Sequence, residues 1–216
     1  MMNFLSQTKI FFEHLNRNVF FLSLAQIFSM TSMNINIITT GLAGFIIAPY
    51  GWLSTFPLSL QFIITMLFTF PCSILMSKYG RKIVFVGGVL SVSTGGLIMT
   101  IALFQKNFYL FCFGSVLLGL GHATNLFYRY AATETVPKNV KPKAMSLVLS
   151  AGLIAALLGP RIYQISADAI LPHLYAGSYL MIAITQLIAL PFIMRIKIPL
   201  PPRSKIGGRK VSEIFH

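Results

Sequence analysis

Six long apolar stretches, separated by short polar segments, dominate the chain. Each has about 20 residues or more, the length that an α-helix needs to cross the hydrocarbon core of a bilayer. The third and fourth stretches contain no Lys, Arg, Asp or Glu. The pattern therefore predicts six membrane-spanning helices, at 18–42, 53–76, 83–104, 107–128, 144–167 and 174–194.

The composition agrees with this pattern. Hydrophobic residues make up 56% of the 216 residues and charged residues only 10%, more apolar side chain than the interior of a soluble domain of this size can hold. A net charge of +13 is compatible with nucleic-acid binding, but such binding requires basic residues clustered on one folded surface. Here they fall between apolar stretches, so we expect a lipid bilayer and no nucleic acid. Cys72 and Cys112 lie inside apolar stretches and form no metal or disulfide pattern.

The distribution of Lys and Arg predicts the orientation. Of the 17 basic residues, 14 fall in the N-terminal segment, the loops after spans 2 and 4, and the C-terminal tail, whereas the opposite loops contain only Lys106. By the positive-inside rule the first set is cytoplasmic. We expect a cytoplasmic segment at 1–17, a six-span domain at 18–195 and a basic cytoplasmic tail at 196–216, in the cell (inner) membrane. The N-terminal segment is not read as a signal peptide, because Glu13 and His14 interrupt it.

The loop SKYGRK at 77–82 places Lys78, Arg81 and Lys82 around Gly80 between the second and third spans. Any multi-span protein can use such a loop, because cationic residues resist translocation and meet anionic headgroups, and glycine permits a tight turn.

The longer stretch SILMSKYGRK resembles the loop signature G-x-L-a-D-R-x-G-R-K of the major facilitator superfamily, which also lies between spans 2 and 3. Lys78 keeps the charge of the first arginine, whereas Ser73 and Ser77 replace the glycine and the acid. The resemblance implies an inner gate loop whose acidic latch is weakened or missing. The matching positions are Leu75, Gly80, Arg81 and Lys82.

The fifth span contains AGLIAALLGPRI, which resembles the antiporter-type pattern of the same superfamily at Gly152, Gly159 and Pro160. Ala151, Ala155 and Gly159 also recur every four residues and form a shallow ridge that lets a neighbouring helix approach. Pro160 lacks a backbone donor, so Gly159-Pro160 is a predicted bend with a gating role. Such bends also occur in spanning helices of other functions.

Polar side chains form stripes on the first and fourth spans, the two that line the substrate cavity in members of this superfamily. The resemblance implies substrate contacts from these stripes and a gating role for Arg129 near the cytoplasmic surface. Alternatively, Ser and Thr bond to their own helix and Asn joins neighbouring helices. A six-helix unit by itself would leave the stripes facing lipid or empty space. The predicted substrate-binding residues are Gln26, Ser29, Ser32 and Asn36 on span 1, and His122 and Asn125 on span 4.

Two further features, one on span 5 and one on span 4, bear on charge and proton coupling. Arg161 and Asp168 lie seven residues apart on one face of span 5, which favours a structural ion pair at the outer rim over a role in transport. The superfamily's span-4 arginine, linked to proton coupling, aligns with Ser115, so coupling through that residue is not expected.

The resemblance implies an all-α integral membrane fold, with six helices as two inverted three-helix repeats, one half of a twelve-span transporter. The tail resembles the central loop between halves. We therefore expect the N-terminal half of a secondary transporter that exports a small organic molecule by alternating access. A second six-helix half or a homodimer partner would complete it. No enzyme, cofactor or ATP-binding motif is found. The alternatives are a non-transporting fragment or assembly partner of a second half, and a six-span protein of an unrelated class.

Overall fold

The computed structural model describes residues 17–198, and this part of the chain is helical without any β-strand. Residues 1–16 and 199–216 lie outside the described residues. The predicted resemblance of the tail to the superfamily's central loop therefore also lies outside them. The helices are α1 (Arg17–Ile47), α2 (Phe56–Tyr79), α3 (Arg81–Gln105), α4 (Phe108–Asn125), α5 (Tyr128–Glu134), α6 (Lys141–Ser166) and α7 (Ala176–Met194), with short 3₁₀ turns at Gly51–Leu53 and Lys138–Val140.

The six predicted spans are confirmed as six helical segments that are long and apolar enough to cross a membrane. The first extends to Ile47 rather than to 42, because the apolar run continues beyond Leu42. The fourth predicted span ends at 128, whereas the helical segment turns after Asn125 and continues as α5 to Glu134.

Helix packing reveals two repeats, α1–α3 and α4–α7. Matching spans 1, 2 and 3 with spans 4, 5 and 6 pairs α1 with α4, α2 with α6, and α3 with α7. Equivalent helices make equivalent contacts in the two repeats. The close packing of α1 against α6 corresponds to that of α4 against α2, and the packing of α3 against α4 corresponds to that of α7 against α1. Because each repeat has an odd number of spans, the second is inverted in the membrane. The architecture is one six-helix half of the fold that the sequence predicted.

Small residues allow these helices to approach closely. A Cβ atom on Gly95 of α3 would lie 2.9 Å from the Gly114 carbonyl oxygen of α4. On α6 a Cβ on Gly159 would lie 2.6 Å from the Cβ of Asn34 on α1, and Ala151 and Ala155 are buried beside it. The predicted small-residue ridge on α6 is confirmed, and α1 is the helix that packs on it.

Two apolar clusters form the core, one towards each end of the helices. We call the end that holds Asn18 and Lys197 the inner end, after the orientation that the sequence predicts. In the inner cluster Phe85 packs edge-on against Tyr128, with ring centroids 4.6 Å apart. In the outer cluster Phe111 packs in the same way against Tyr179, at 5.3 Å. Buried polar side chains of α1, α2, α4 and α7 occupy the depth where these two clusters meet, and we call them the polar layer. The polar layer consists of Gln26, Ser29, Ser32, Asn36, Thr40, Gln61, His122, Asn125 and Gln186.

The helices α2 and α6 are the least buried spans. In their most apolar windows 11% and 22% of residues are buried, against about half in the other four spans. Large apolar side chains stand out from both, such as Phe70 on α2 and Leu157 on α6, each more than 70% exposed. These two equivalent helices of the repeats therefore offer apolar surface that the described residues do not cover.

Candidate functional site

All six residues predicted to bind substrate are buried inside the six-helix unit, with exposed fractions of 4% or less. The expectation that their stripes would face lipid or empty space is wrong, because α2 and α7 cover them. Polar groups left unpaired against hydrocarbon cost several kcal/mol, which favours the inward packing.

A chain of hydrogen bonds connects four helices at the centre of this layer. The Tyr179 hydroxyl of α7 donates to Thr40 Oγ1 of α1 over 2.9 Å. The Thr40 hydroxyl in turn faces two acceptors of Asn36, the carbonyl at 2.7 Å and Oδ1 at 2.9 Å. Asn36 Nδ2 donates to Gln61 Oε1 of α2 over 2.5 Å. Gln61 Nε2 lies 3.0 Å from His122 Nδ1 of α4. These hydrogen bonds thus connect two predicted site residues, Asn36 and His122, through a glutamine that the sequence patterns did not single out.

A second set of bonds ties the inner part of the α1 stripe to α7. Gln186 Nε2 donates to Ser32 Oγ over 2.8 Å, and Ser29 Oγ donates to Gln186 Oε1 over 3.4 Å. Ser32 Oγ also donates to the Ser29 carbonyl over 2.8 Å. The alternative interpretation of the stripe expected serines to bond within α1, which only the bond from Ser32 to the Ser29 carbonyl does, whereas both serines also bond to α7. Asn36 joins α1 to α2, as that interpretation expected.

Free hydrogen-bonding capacity is concentrated elsewhere in the layer. Among the described residues, buried Gln26 Oε1, His122 Nε2 and Asn125 Nδ2 have no hydrogen-bond partner. Arg129 Nε, in the short helix α5 that follows α4, shares this property. A buried polar group without a partner costs about 1–3 kcal/mol, so a row of them points to a ligand or to water that meets them during function.

The layer carries little charge. Both acidic residues in the described range, Glu134 and Asp168, are exposed and lie outside it. Arg129, half-buried at the inner end with its guanidinium 5.0 Å from the Tyr130 ring centroid, is the basic side chain that borders it. The described residues also contain no cluster of metal-binding side chains. Amides, hydroxyls and one imidazole thus provide the chemistry of this layer.

Gly80 forms the turn between α2 and α3. Its backbone angles are φ 88° and ψ 152°, a region that only glycine adopts readily, and its N–H donates to the Met76 carbonyl over 3.0 Å. One residue thus ends α2 and begins α3, which explains how the loop can be so short.

Arg81 attaches this loop to the inner end of the fourth span. Its guanidinium makes two contacts with the Glu134 carboxylate, one of them from Nε to Oε2 at 2.6 Å. Ser77, in the position of the superfamily's acid, instead donates to the Ile74 carbonyl of its own helix over 2.8 Å. Lys78 lies over the Tyr79 ring, and Lys82 is exposed. The sequence reasoning missed Glu134, although it is the one acid in an otherwise basic inner loop region.

Of two predictions about span 5, the bend at Gly159-Pro160 stays a prediction and the ion pair near the end of the span is wrong. The helix α6 is continuous through Gly159 and Pro160, and Asn34 Nδ2 of α1 donates to the Ala155 carbonyl over 3.1 Å beside them. The predicted ion pair between Arg161 and Asp168 is wrong, since the described residues contain none between them. The cause is the end of α6 at Ser166, after which the helical seven-residue spacing no longer brings the two side chains together.

The sequence profile of the Major Facilitator Superfamily matches residues 10–214. The chain belongs to this superfamily. It is also 32% identical over 203 residues to the riboflavin transporter RfnT of Brucella anthropi, an alignment that covers 92% of the chain and 51% of that relative. The chain therefore spans about half the length of the curated relative it matches. No solved structure gives a significant match.

Proposed function

We propose that this chain is the six-helix half of a secondary transporter that moves an uncharged, polar small organic molecule by alternating access. The observation that carries the proposal is the row of unpartnered buried groups on Gln26, His122 and Asn125, at the depth where the two apolar clusters meet. Transporters of this architecture hold their substrate near the midplane of the membrane.

The chemistry of the layer supports a neutral substrate. Amides and an imidazole can both donate and accept hydrogen bonds, whereas a charged substrate calls for an opposite charge or a strong dipole in the site. Riboflavin, the compound in the name of the relative RfnT, is uncharged and carries carbonyl, ring N–H and hydroxyl groups. We therefore propose riboflavin or a similar polar heterocycle as the substrate class.

The proposed substrate-binding set is Gln26, Ser29, Ser32, Asn36, His122 and Asn125. Its members have different tasks, because Ser29, Ser32 and Asn36 already bond to neighbouring helices and shape the layer. Direct hydrogen bonds to substrate fall to the members with free atoms. The proposed gating set is Lys78, Gly80, Arg81, Lys82, Arg129, Gly159 and Pro160.

A second six-helix unit is part of the proposal. Alternating access requires one unit to rock against another around the substrate, and α2 and α6 expose apolar side chains that such a unit would cover. A separate chain, a second copy of this one or a continuation of the coding frame can supply it. Sequencing the coding DNA that follows His216 distinguishes a continued or neighbouring six-span frame from the homodimer.

Orientation and direction complete the proposal. The charge distribution supports an inner-membrane location with both ends of the chain cytoplasmic. Export is the proposed direction, and its support is the Gly159-Pro160 pattern of span 5. Uptake of substrate into inside-out vesicles, rather than into right-side-out vesicles, is the result that export requires.

Binding to the full 216-residue chain in lipid nanodiscs tests the substrate class. Titration with riboflavin should quench the flavin fluorescence in a saturable manner. Riboflavin 5′-phosphate, which carries roughly two negative charges, should bind at least about tenfold more weakly because the neutral layer would have to bury them. Binding of riboflavin 5′-phosphate that is as tight as that of riboflavin, or tighter, would contradict the neutral class.

A second candidate is a membrane assembly partner that does not itself bind substrate. Ser29 and Ser32 of α1 favour it, since each donates its hydroxyl hydrogen to an acceptor within the unit. Stable association with a second six-helix unit, without any riboflavin binding by the assembled pair, is the outcome that would favour this candidate.

A further inference from the structure

Gln61 occupies an unusual position in its helix. The side chain is fully buried, although α2 is mostly exposed along its length. It lies between α1 and α4 and contacts Asn36 on one side and His122 on the other.

The backbone around Gln61 is held firmly against α4. Thr65 Oγ1 lies 3.0 Å from both the Gln61 carbonyl and the Gly119 carbonyl. A Cβ atom on Gly119 would lie only 2.6 Å from the Gln61 carbonyl oxygen. Because Gly119 precedes His122 by three residues, nearly one helical turn, this contact fixes the glutamine amide relative to the imidazole.

The hydrogen bonds that lead to Gln61 have a consistent direction. The Thr40 hydroxyl lies 2.7 Å from the Asn36 carbonyl and 2.9 Å from Asn36 Oδ1. With Oδ1 on that side of the amide, Asn36 Nδ2 faces Gln61 Oε1 as the donor. Gln61 Nε2 is then the donor towards His122 Nδ1. A neutral imidazole that accepts at Nδ1 carries its proton on Nε2. That nitrogen is buried and has no partner among the described residues.

We propose that Gln61 is a positioning residue that holds His122 as a neutral Nε2–H donor, directed at a hydrogen-bond acceptor of the transported molecule. The acceptor is a carbonyl oxygen or a ring nitrogen of an uncharged heterocycle. The part about the ligand rests on the proposed function, whereas the part about the imidazole stands on the contacts of Gln61 alone. A site built around a fixed donor discriminates strongly against analogues that lack the matching acceptor.

The tautomer of His122 tests the positioning role without any ligand. The full chain is labelled with ¹⁵N-histidine, and the His122 signals among its four histidines are assigned by comparison with His122→Leu. In the wild type we expect a protonated Nε2 and an unprotonated Nδ1. Gln61→Leu removes the donor and should give a mixture of both tautomers. Gln186→Leu, which removes another buried glutamine of the polar layer, should leave the His122 tautomer unchanged.

Riboflavin titration of the same samples tests the ligand part. Gln61→Leu should weaken riboflavin binding by about 5–10-fold, the loss expected for one well-oriented hydrogen bond between neutral groups. A wild type with the proton on Nδ1, or a Gln61→Leu chain with unchanged tautomer and affinity, overturns the proposal. A tautomer that depends on Gln61 in a chain that binds no riboflavin upholds the positioning role and overturns only the substrate class.

Discussion

Arg81 and Glu134 form an ion pair with two contacts that joins the loop between α2 and α3 to the last residue of α5. Their side chains are 18% and 43% exposed, so the pair lies at the edge of solvent. A pair of this kind contributes about 0.5–1 kcal/mol to stability, too little to explain its presence through folding alone. Its position between the predicted gate loop and the fourth span instead favours a role in holding one conformation.

Glu134→Gln should therefore change the rate of transport more than the stability of the chain. We expect a several-fold change in the initial rate of riboflavin transport into membrane vesicles, with a melting temperature close to that of the wild type. Asp168→Asn is the matched control, because Asp168 is an exposed acid without an ion pair. The charge-swapped chain Arg81→Glu/Glu134→Arg should recover much of the wild-type rate. If Glu134→Gln and Asp168→Asn change the transport rate equally, the pair has no gating role.

Gly80→Val should impair transport because valine is strained at φ 88°. A β-branched residue in this region of backbone conformation costs about 1–3 kcal/mol, and the chain can relieve it only by opening the turn. Gly87→Val is the control, since Gly87 lies in α3 with nothing within 4 Å of an added Cβ. Transport rates and melting temperatures of both variants decide the matter. A Gly80→Val chain that transports at the wild-type rate would remove the turn from the cycle.

His122→Leu should weaken riboflavin binding by about 5–10-fold, since it removes a hydrogen-bond donor worth about 1–1.4 kcal/mol. It also leaves Gln61 Nε2 without its acceptor, so some stability is lost and titrations belong well below the melting temperature. Thr100→Val is the control: Thr100 is a buried polar residue that bonds to α3 and α7 carbonyls outside the layer. Identical affinities in wild type and His122→Leu would exclude His122 from the binding site.

The sequence predicted much of this fold because its largest free-energy term can be read locally. Runs of about 20 apolar residues define spans whatever their neighbours are, and the need for a tight turn at Gly80 follows from the shortness of its loop. The ridge at Ala151, Ala155 and Gly159 could be found in the same way, from spacing on one helix.

Features that depend on which helices meet could not be found in this way. Gln61 is a single polar residue in an apolar span, and its importance appears only when α1 and α4 are placed on either side of it. The expectation that the α1 stripe faces lipid or empty space is wrong for the same reason. Gln186, which bonds to the stripe, comes from α7, far along the chain. The prediction of an ion pair between Arg161 and Asp168 is wrong for a local reason. No signal in the sequence marks the end of α6 at Ser166.

Two glycines of α6 differ in whether they pack closely against α1. Gly159 faces Asn34 so closely that an added Cβ would lie 2.6 Å from the Cβ of Asn34, whereas an added Cβ on Gly152 would meet nothing within 4 Å. Gly159→Ala should therefore destabilise the unit by about 1–3 kcal/mol, because the two helices must separate or Asn34 must give up its bond to the Ala155 carbonyl.

Gly152→Ala should be neutral or should stabilise the unit by up to about 1 kcal/mol, because alanine favours the helix and no neighbour obstructs it. Thermal unfolding of the purified chain, followed by circular dichroism, measures both variants under the same conditions. If Gly159→Ala melts at the same temperature as Gly152→Ala, α1 and α6 do not pack through this ridge. A lowered melting temperature for Gly159→Ala alone, with transport lost in proportion to the unfolded fraction, would limit Gly159 to packing. Transport lost beyond that fraction would support its proposed role in gating.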